Sequence, residues 1–80
     1  MKVIKRDGHM VDYSPEKIEN AIIKANTEVD DDEQASSTQI KNIIKYIEKL
    51  GKKRILVEDI QDIIEMKLMS IGKYTLAKKY

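Results

Sequence analysis

The 80-residue chain has no cysteine, no tryptophan and no phenylalanine, one histidine, one proline and three glycines. Without cysteine there are no disulfides, thiolate zinc sites, iron–sulfur clusters or thiol nucleophiles. Such a chain fits a cytoplasmic setting. With so few large aromatics, the core must be built from Ile, Leu, Val and Met. Three glycines cannot form a Gly-rich phosphate loop, and no such motif occurs. No apolar run approaches 18 residues, and Met1-Lys2-Val3-Ile4-Lys5-Arg6 contains no signal-peptide core, so neither a membrane span nor a leader is expected. Charge of one sign is also missing. Fifteen basic and fourteen acidic residues leave a net charge of +1, so no global field draws the chain to nucleic acid or an anionic membrane.

What is present suits one small domain. Hydrophobic residues make up 41% and charged residues 36%, a balance of buried stripes and solvated helix faces. A chain this short buries roughly 60–65% of its unfolded surface.

The organising stretch is Val3 to Tyr13. Asp7-Gly8 between two alternating runs predicts a tight hairpin with arms Lys2–Arg6 and His9–Tyr13. A two-residue turn would pair Ile4 with Val11 and Val3 with Asp12. Ile4, Val11 and Tyr13 would then share one face, with Val3 and Met10 on the other. Lys5 and Arg6 would fall on opposite faces, so a ligand gripped by both requires a twisted or bulged tip.

Four helices follow. Ser14 as N-cap, Pro15 at the first helical position and Glu16 in the first turn start the first helix. Its apolar stripe is Ile18, Ala21, Ile22, Ala25 and Val29. The acidic run Asp30–Glu33 reads as a solvated loop; it lacks the alternation and central glycine of a calcium loop. The second helix is capped by Ser36, Ser37 or Thr38, carries Ile40, Ile43, Ile44, Ile47 and Leu50, and stops at Gly51. Ile55-Leu56-Val57 offers a third strand, which a lone hairpin needs for stability. The third helix begins at Glu58-Asp59, carries Ile60, Ile63, Ile64, Leu68 and Ile71, and ends at Gly72. Tyr74, Ala77 and Tyr80 open a fourth helix that is expected to continue past Tyr80.

No enzyme active site is legible. His9, the single histidine, has no candidate nucleophile near it in sequence. Binding is better supported. Lys5, Arg6, Lys17 and Lys41 converge if the hairpin lies over the first two helices, with Ser14 or Ser37 adding a hydroxyl. Four cations around one pocket suit a triphosphate. The same residues also read as ordinary surface lysines.

The sequence Val3-Ile-Lys-Arg-Asp-Gly8, followed by Ser14-Pro-Glu-Lys-Ile18, resembles the opening of the ATP-cone domain. Val57-Glu-Asp-Ile-Gln-Asp62 and Gly72-Lys-Tyr-Thr-Leu-Ala-Lys-Lys-Tyr80 resemble its second half. The resemblance covers nearly the whole chain, in order. It implies an α+β fold in which a small β-sheet, the N-terminal hairpin plus a short third strand, caps a four-helix bundle. Residues 1–80 would form a single cone whose fourth helix is cut short. The family reading implies ATP or dATP as allosteric effector, with Mg2+ on the phosphates, and control of the overall activity of a ribonucleotide reductase. The anaerobic, triphosphate-reducing class is preferred on overall look. The implied nucleotide-binding set is Val3, Lys5, Arg6, Ser14, Lys17, Ile18, Ser37, Ile40, Lys41 and Ile44. Lys5 and Arg6 are its phosphate-binding pair, and Ile18, Ile40 and Ile44 its adenine wall. Many members carry Glu where Val11 stands, so a base contact from that position would use backbone here. Implied partners are adenine nucleotides and the remainder of a reductase polypeptide or its subunits.

Two other functions compete with the sensor. One is a cone that has lost its ligand and serves only as a protein-interaction module. The other is a DNA-binding role through Lys52-Lys53-Arg54, which the near-neutral charge disfavours. The cone of a transcriptional repressor, where it follows a zinc ribbon, fits less well than an N-terminal reductase cone, because the cone motif begins at the first residues.

Overall fold

The computed structural model describes all residues, 1–80. Three strands, β1 (Lys2–Ile4), β2 (Met10–Asp12) and β3 (Arg54–Leu56), form a sheet in the order β2-β1-β3. Four helices complete the chain: α1 (Pro15–Asn26), α2 (Ser37–Lys49), α3 (Val57–Ser70) and α4 (Tyr74–Lys79). The expected α+β architecture is therefore present.

The hairpin register differs from the sequence expectation by one residue. Val3 faces Val11 and Ile4 faces Met10. Lys5 N–H donates to the His9 carbonyl at 2.7 Å, and Gly8 N–H donates to the Lys5 carbonyl at 2.9 Å. The loop thus has three residues, Arg6-Asp7-Gly8. Backbone conformation explains the difference. A two-residue type I′ turn needs positive φ at both Asp7 and Gly8. Only Gly8 has it, at φ 87°, and no non-glycine residue in the chain does. A three-residue loop asks for one such position, and the Asp7 carboxylate favours it by accepting the His9 N–H at 3.0 Å. The shift puts Val3 on the core face with Val11, and Ile4 and Met10 on the outer face.

β3 pairs with β1 in parallel, Val3 beside Ile55 and Ile4 beside Leu56. It begins at Arg54, one residue earlier than the apolar run suggested, and Val57 opens α3 with no intervening loop. Val3 and Ile55 turn inward, and both are buried.

The core is one cluster of fifteen buried residues, all apolar. Ile22, Ile47, Ile64, Leu68 and Leu76 are its fully enclosed members. The α1 stripe contributes Ile18, Ile22 and Ala25, but the helix ends at Asn26, and Val29 packs on the core from the following turn. Leu50 and Ile71, at the ends of their stripes, remain exposed. In α4 the inward residues are Leu76 and Ala77; Tyr74 points to solvent.

The acidic connection between α1 and α2 is anchored rather than loose. The Asn26 amide donates to the Ala35 carbonyl at 3.0 Å and accepts the Ala35 N–H at 2.9 Å. Gln34 returns a bond to the Asn26 carbonyl at 3.1 Å. Asp31–Glu33 form a single 3-10 turn. The Lys73 ammonium reaches the Asp32 carbonyl at 2.8 Å and ties this turn to α4. Ser36, of the three candidates, caps α2 with a reciprocal bond pair to Gln39.

Two tyrosines hold the ends of the molecule in place. The Tyr13 hydroxyl donates to Glu48 Oε2 at 3.1 Å, joining the hairpin exit to the last turn of α2. Burial, together with this carboxylate, pushes the Tyr13 phenol well above the ordinary tyrosine range. Burial also raises the Tyr80 phenol.

Two outcomes follow from this packing. Ile22→Ala should cost about 2–5 kcal/mol. Its exposed neighbour Ile23→Ala should stay within about 0.5 kcal/mol. Urea unfolding of both variants checks which face of α1 is inside. The second outcome concerns alkaline pH. A phenol whose folded pKa lies above its unfolded value, about 10, contributes stability in full below that value and loses it as pH rises past it. Wild-type protein should therefore lose stability more steeply above about pH 10 than the Tyr13→Phe/Tyr80→Phe double variant. Parallel unfolding slopes for the two would disprove this assignment.

Candidate functional site

A cleft opens beneath the hairpin, between the core face of the sheet, the start of α1 and the first turn of α3. Its outer part, about 530 Å³, is bounded by Lys5, Arg6, Asp7, His9, Val11, Val57 and Gln61. Its inner part, about 280 Å³, runs on past Lys5, Val11, Val57 and Gln61 to Val3, Ser14, Lys17, Ile18, Ile60 and Tyr80. The size and the mixture of apolar lining with a few polar groups suit a small-molecule ligand.

The hairpin register delivers Lys5 to this cleft. Lys5 has the same strand parity as Val3 and so lies on the inward side of the sheet. Arg6 stands in the turn, where strand alternation no longer applies. The three-residue loop thereby removes the conflict that a two-residue turn would impose on these neighbours. Arg6 reaches over to α3, its Nη2 donating to Gln61 Oε1 at 3.3 Å and its Nε lying 3.4 Å from Glu58 Oε1.

The floor is apolar. Val3 and Ile18 form part of it from the edge of the core, with Val11, Val57 and Ile60 beside them. The rim carries three cations, Lys5, Arg6 and Lys17, all solvent-exposed. Ser14 takes the N-cap position of α1, but its side chain makes no capping bond. Leu56, at the N-cap of α3, has no side chain able to cap. Among the three long helices, the two that start at the cleft are the two without a side-chain cap; α2, which starts elsewhere, carries a complete capping box. Uncapped helix starts keep the positive end of the helix dipole, here partly offset by Glu16 in the first turn of α1 and by Glu58 and Asp59 in that of α3. Set beside three cations, they favour an anion.

The structure thus brings together Val3, Lys5, Arg6, Ser14, Lys17 and Ile18 from the sequence-derived set. It does not bring the α2 residues to them. Ile40 and Ile44 are buried in the core and line neither part of the cleft. Ser37 and Lys41 are exposed on α2 and do not line the cleft. The stripe that made Ile40 and Ile44 look suitable is the stripe that packs them inward.

Sequence reasoning missed Val57, Ile60 and Gln61. Parallel pairing of β3 with β1 would have revealed them. With Leu56 beside Ile4, the next residue must start a helix next to Lys5. Val57 and Gln61, one turn apart, then share the face toward the hairpin.

His9 borders the outer cleft beside Asp7 and the two basic residues, with no hydroxyl or thiol nucleophile among them. No group of three or more His, Asp or Glu side chains is placed to hold a metal ion. No helix is long and apolar enough to cross a membrane. The cleft suits an anion attached to a flat apolar group.

Comparison with known proteins agrees with this architecture. The family model described as the ATP cone domain matches residues 1–80. The ribonucleoside-diphosphate reductase subunit alpha of Chlamydia trachomatis is 34% identical over 91 aligned residues, which take in 100% of this chain and 9% of that protein. The subunit of the same name from Chlamydia muridarum is 33% identical over 91 residues, with the same coverage. The chain therefore spans about a tenth of the length of these relatives. Their names do not bear on the anaerobic class. With a family model matched from end to end, the chain belongs to the ATP-cone family.

Proposed function

We propose that this domain binds ATP and dATP in the cleft beneath the hairpin and thereby controls the overall activity of a ribonucleotide reductase. The observation that carries this reading is the convergence of Lys5, Arg6 and Lys17 on two uncapped helix starts above an apolar floor. The phosphates lie along the basic rim, where Lys5 and Lys17 have no competing ion pair. The adenine ring lies on Val3, Val11, Ile18 and Val57. Ser14 and Gln61 supply hydrogen-bonding groups between the two. Mg2+ rides on the phosphates.

The switch follows from what each nucleotide contacts. ATP and dATP differ by one hydroxyl, and a ligand that favours neither of two conformations shifts neither. The ribose must therefore lie where its 2′-hydroxyl changes a contact of the cleft wall. The partners are the remainder of the reductase polypeptide or its subunits. The names of the relatives support a ribonucleoside-diphosphate substrate for that enzyme. A cytoplasmic location goes with this role.

The test is a thermal-shift titration with MgATP, MgdATP and MgGTP. A ligand at 100 times its Kd adds about 2.7 kcal/mol, which for a domain of this size is on the order of ten degrees. ATP and dATP should shift the transition and GTP should not. Lys5→Ala and Lys17→Ala should each weaken ATP on the order of 10- to 100-fold, the loss of one charge-assisted contact. Lys41→Ala on α2 should change it less than about two-fold. Absence of a shift with any nucleotide, or an equal loss from Lys41→Ala, would sink the reading.

A further inference from the structure

Arg6 differs from the other cations of the cleft. The chain contains two ion pairs, Lys2–Asp12 on the hairpin arms and Arg6–Glu58. Arg6 alone among the rim cations is already engaged, and by the opposite wall. Its Nε lies 3.4 Å from Glu58 Oε1 and its Nη2 is 3.3 Å from Gln61 Oε1, so one edge of the guanidinium is laid along the first turn of α3. The contact spans from the hairpin tip to a helix 52 positions later in the chain. It borders the outer part of the cleft, whose lining includes both Arg6 and Gln61 but not Glu58.

We propose that Glu58 is an internal competitor for the phosphate site, a latch that holds Arg6 across the cleft mouth until a polyphosphate takes its place. The inference rests on the nucleotide-binding reading and adds a regulatory part to it. The argument is one of charge. A guanidinium paired with a carboxylate presents an approaching phosphate with a near-neutral pair, not a cation. To gain the full charge-assisted contact, the phosphate must part the two, and it then stands beside a bare carboxylate. A free carboxylate at the mouth repels an anion that does not engage Arg6. The latch thus lowers affinity for every anion and lowers it least for one with enough charge to replace Glu58 at Nε and Gln61 at Nη2. The pair is well suited to reversible use. Arg6 is 72% and Glu58 45% exposed in their side chains, so water replaces the lost contact at little cost. Parting the pair also frees the hairpin tip from α3, which couples ligand entry to a movement of the sheet edge.

Glu58 has a simpler role available, as a first-turn acid that complements the α3 dipole. Asp59 occupies the same turn and serves that purpose too. A double-mutant cycle separates the two roles. Calorimetric titration with MgATP is carried out on wild type, Arg6→Ala, Glu58→Gln and the double variant. Glu58→Gln should tighten ATP about two- to five-fold, the range that an exposed ion pair supports. In the Arg6→Ala background the same substitution should change affinity less than about two-fold. A gain of equal size in both backgrounds would make Glu58 a plain repulsive charge and overturn the latch. A weaker affinity in Glu58→Gln would make it a positioner of Arg6 and overturn it equally. The side-chain Nε–H NMR signal of Arg6 supplies a second readout. It should exchange more slowly with solvent in wild type than in Glu58→Gln; indifference to Glu58→Gln would mean that no latch exists. If none of the four proteins bound ATP, the nucleotide-binding reading would fall and the latch would lose its role, whereas ATP binding with a flat cycle would remove the latch alone.

Discussion

The arrangement depends on the central strand being paired on both sides. β1 has three residues, and a two-stranded hairpin of that length is marginal in water. The parallel partner β3 supplies the missing edge, and Val3 and Ile55, side by side, sink one face of the sheet into the core. That pairing also fixes function. β3 runs into α3 without a loop, so wherever β1 goes, the first turn of α3 lies beside the end of it. The cleft exists because the chain returns, more than fifty residues later, to the strand that precedes the hairpin tip. Remove the β1–β3 ladder and Lys5, Arg6 and Gln61 have no reason to meet.

The polar groups divide in the same way. Around the connection of α1 to α2, side chains close on nearby backbone: Asn26 on Ala35, Gln34 on Asn26, and Ser36 on Gln39, while Glu33 Oε2 is buried there without a partner. Under the hairpin the opposite holds. Ser14 caps nothing, Leu56 cannot cap, and Lys5 and Lys17 have no partners. Unsatisfied polar groups at a surface are tolerable because water fills them, but water is a replaceable occupant.

How much of this was legible in the sequence depends on which contacts are local. The helix starts were readable because Ser14-Pro15-Glu16 and the Ser36-to-Gln39 box act within four residues. The stripes were readable because Ile40, Ile43, Ile44 and Ile47 repeat with the helix. The hairpin was readable, yet its register was not, since Asp7-Gly8 serves a two-residue or a three-residue loop and the choice rests on whether Asp7 adopts positive φ. At the site, Lys5, Arg6, Ser14, Lys17 and Ile18 come from consecutive elements and were found together. Gln61 and Val57 join them through a strand pairing between residues 3 and 55, which no periodicity reports. Ile40 and Ile44 erred in the other direction: apolar side chains at helical spacing look alike whether they face a ligand or the core, and here the core took them. Family resemblance named the ligand class but could not tell which helix forms the second wall.

The charge pattern ties these points together. With a net charge of +1, the molecule attracts anions only where cations are gathered, and the gathering is the work of the hairpin loop. A two-residue turn would have sent Lys5 and Arg6 to opposite faces of the sheet, one toward the cleft and one away. The three-residue loop leaves Lys5 under the sheet and swings Arg6 to the same side, against Glu58. The residue that permits this is Gly8, whose φ of 87° lets its N–H close on the Lys5 carbonyl; a Cβ there would meet open space, so conformation and not crowding demands the glycine. A conformation open to glycine and costly to other residues is thus what keeps two adjacent basic residues on one side of the sheet, and what places the second of them within reach of Glu58.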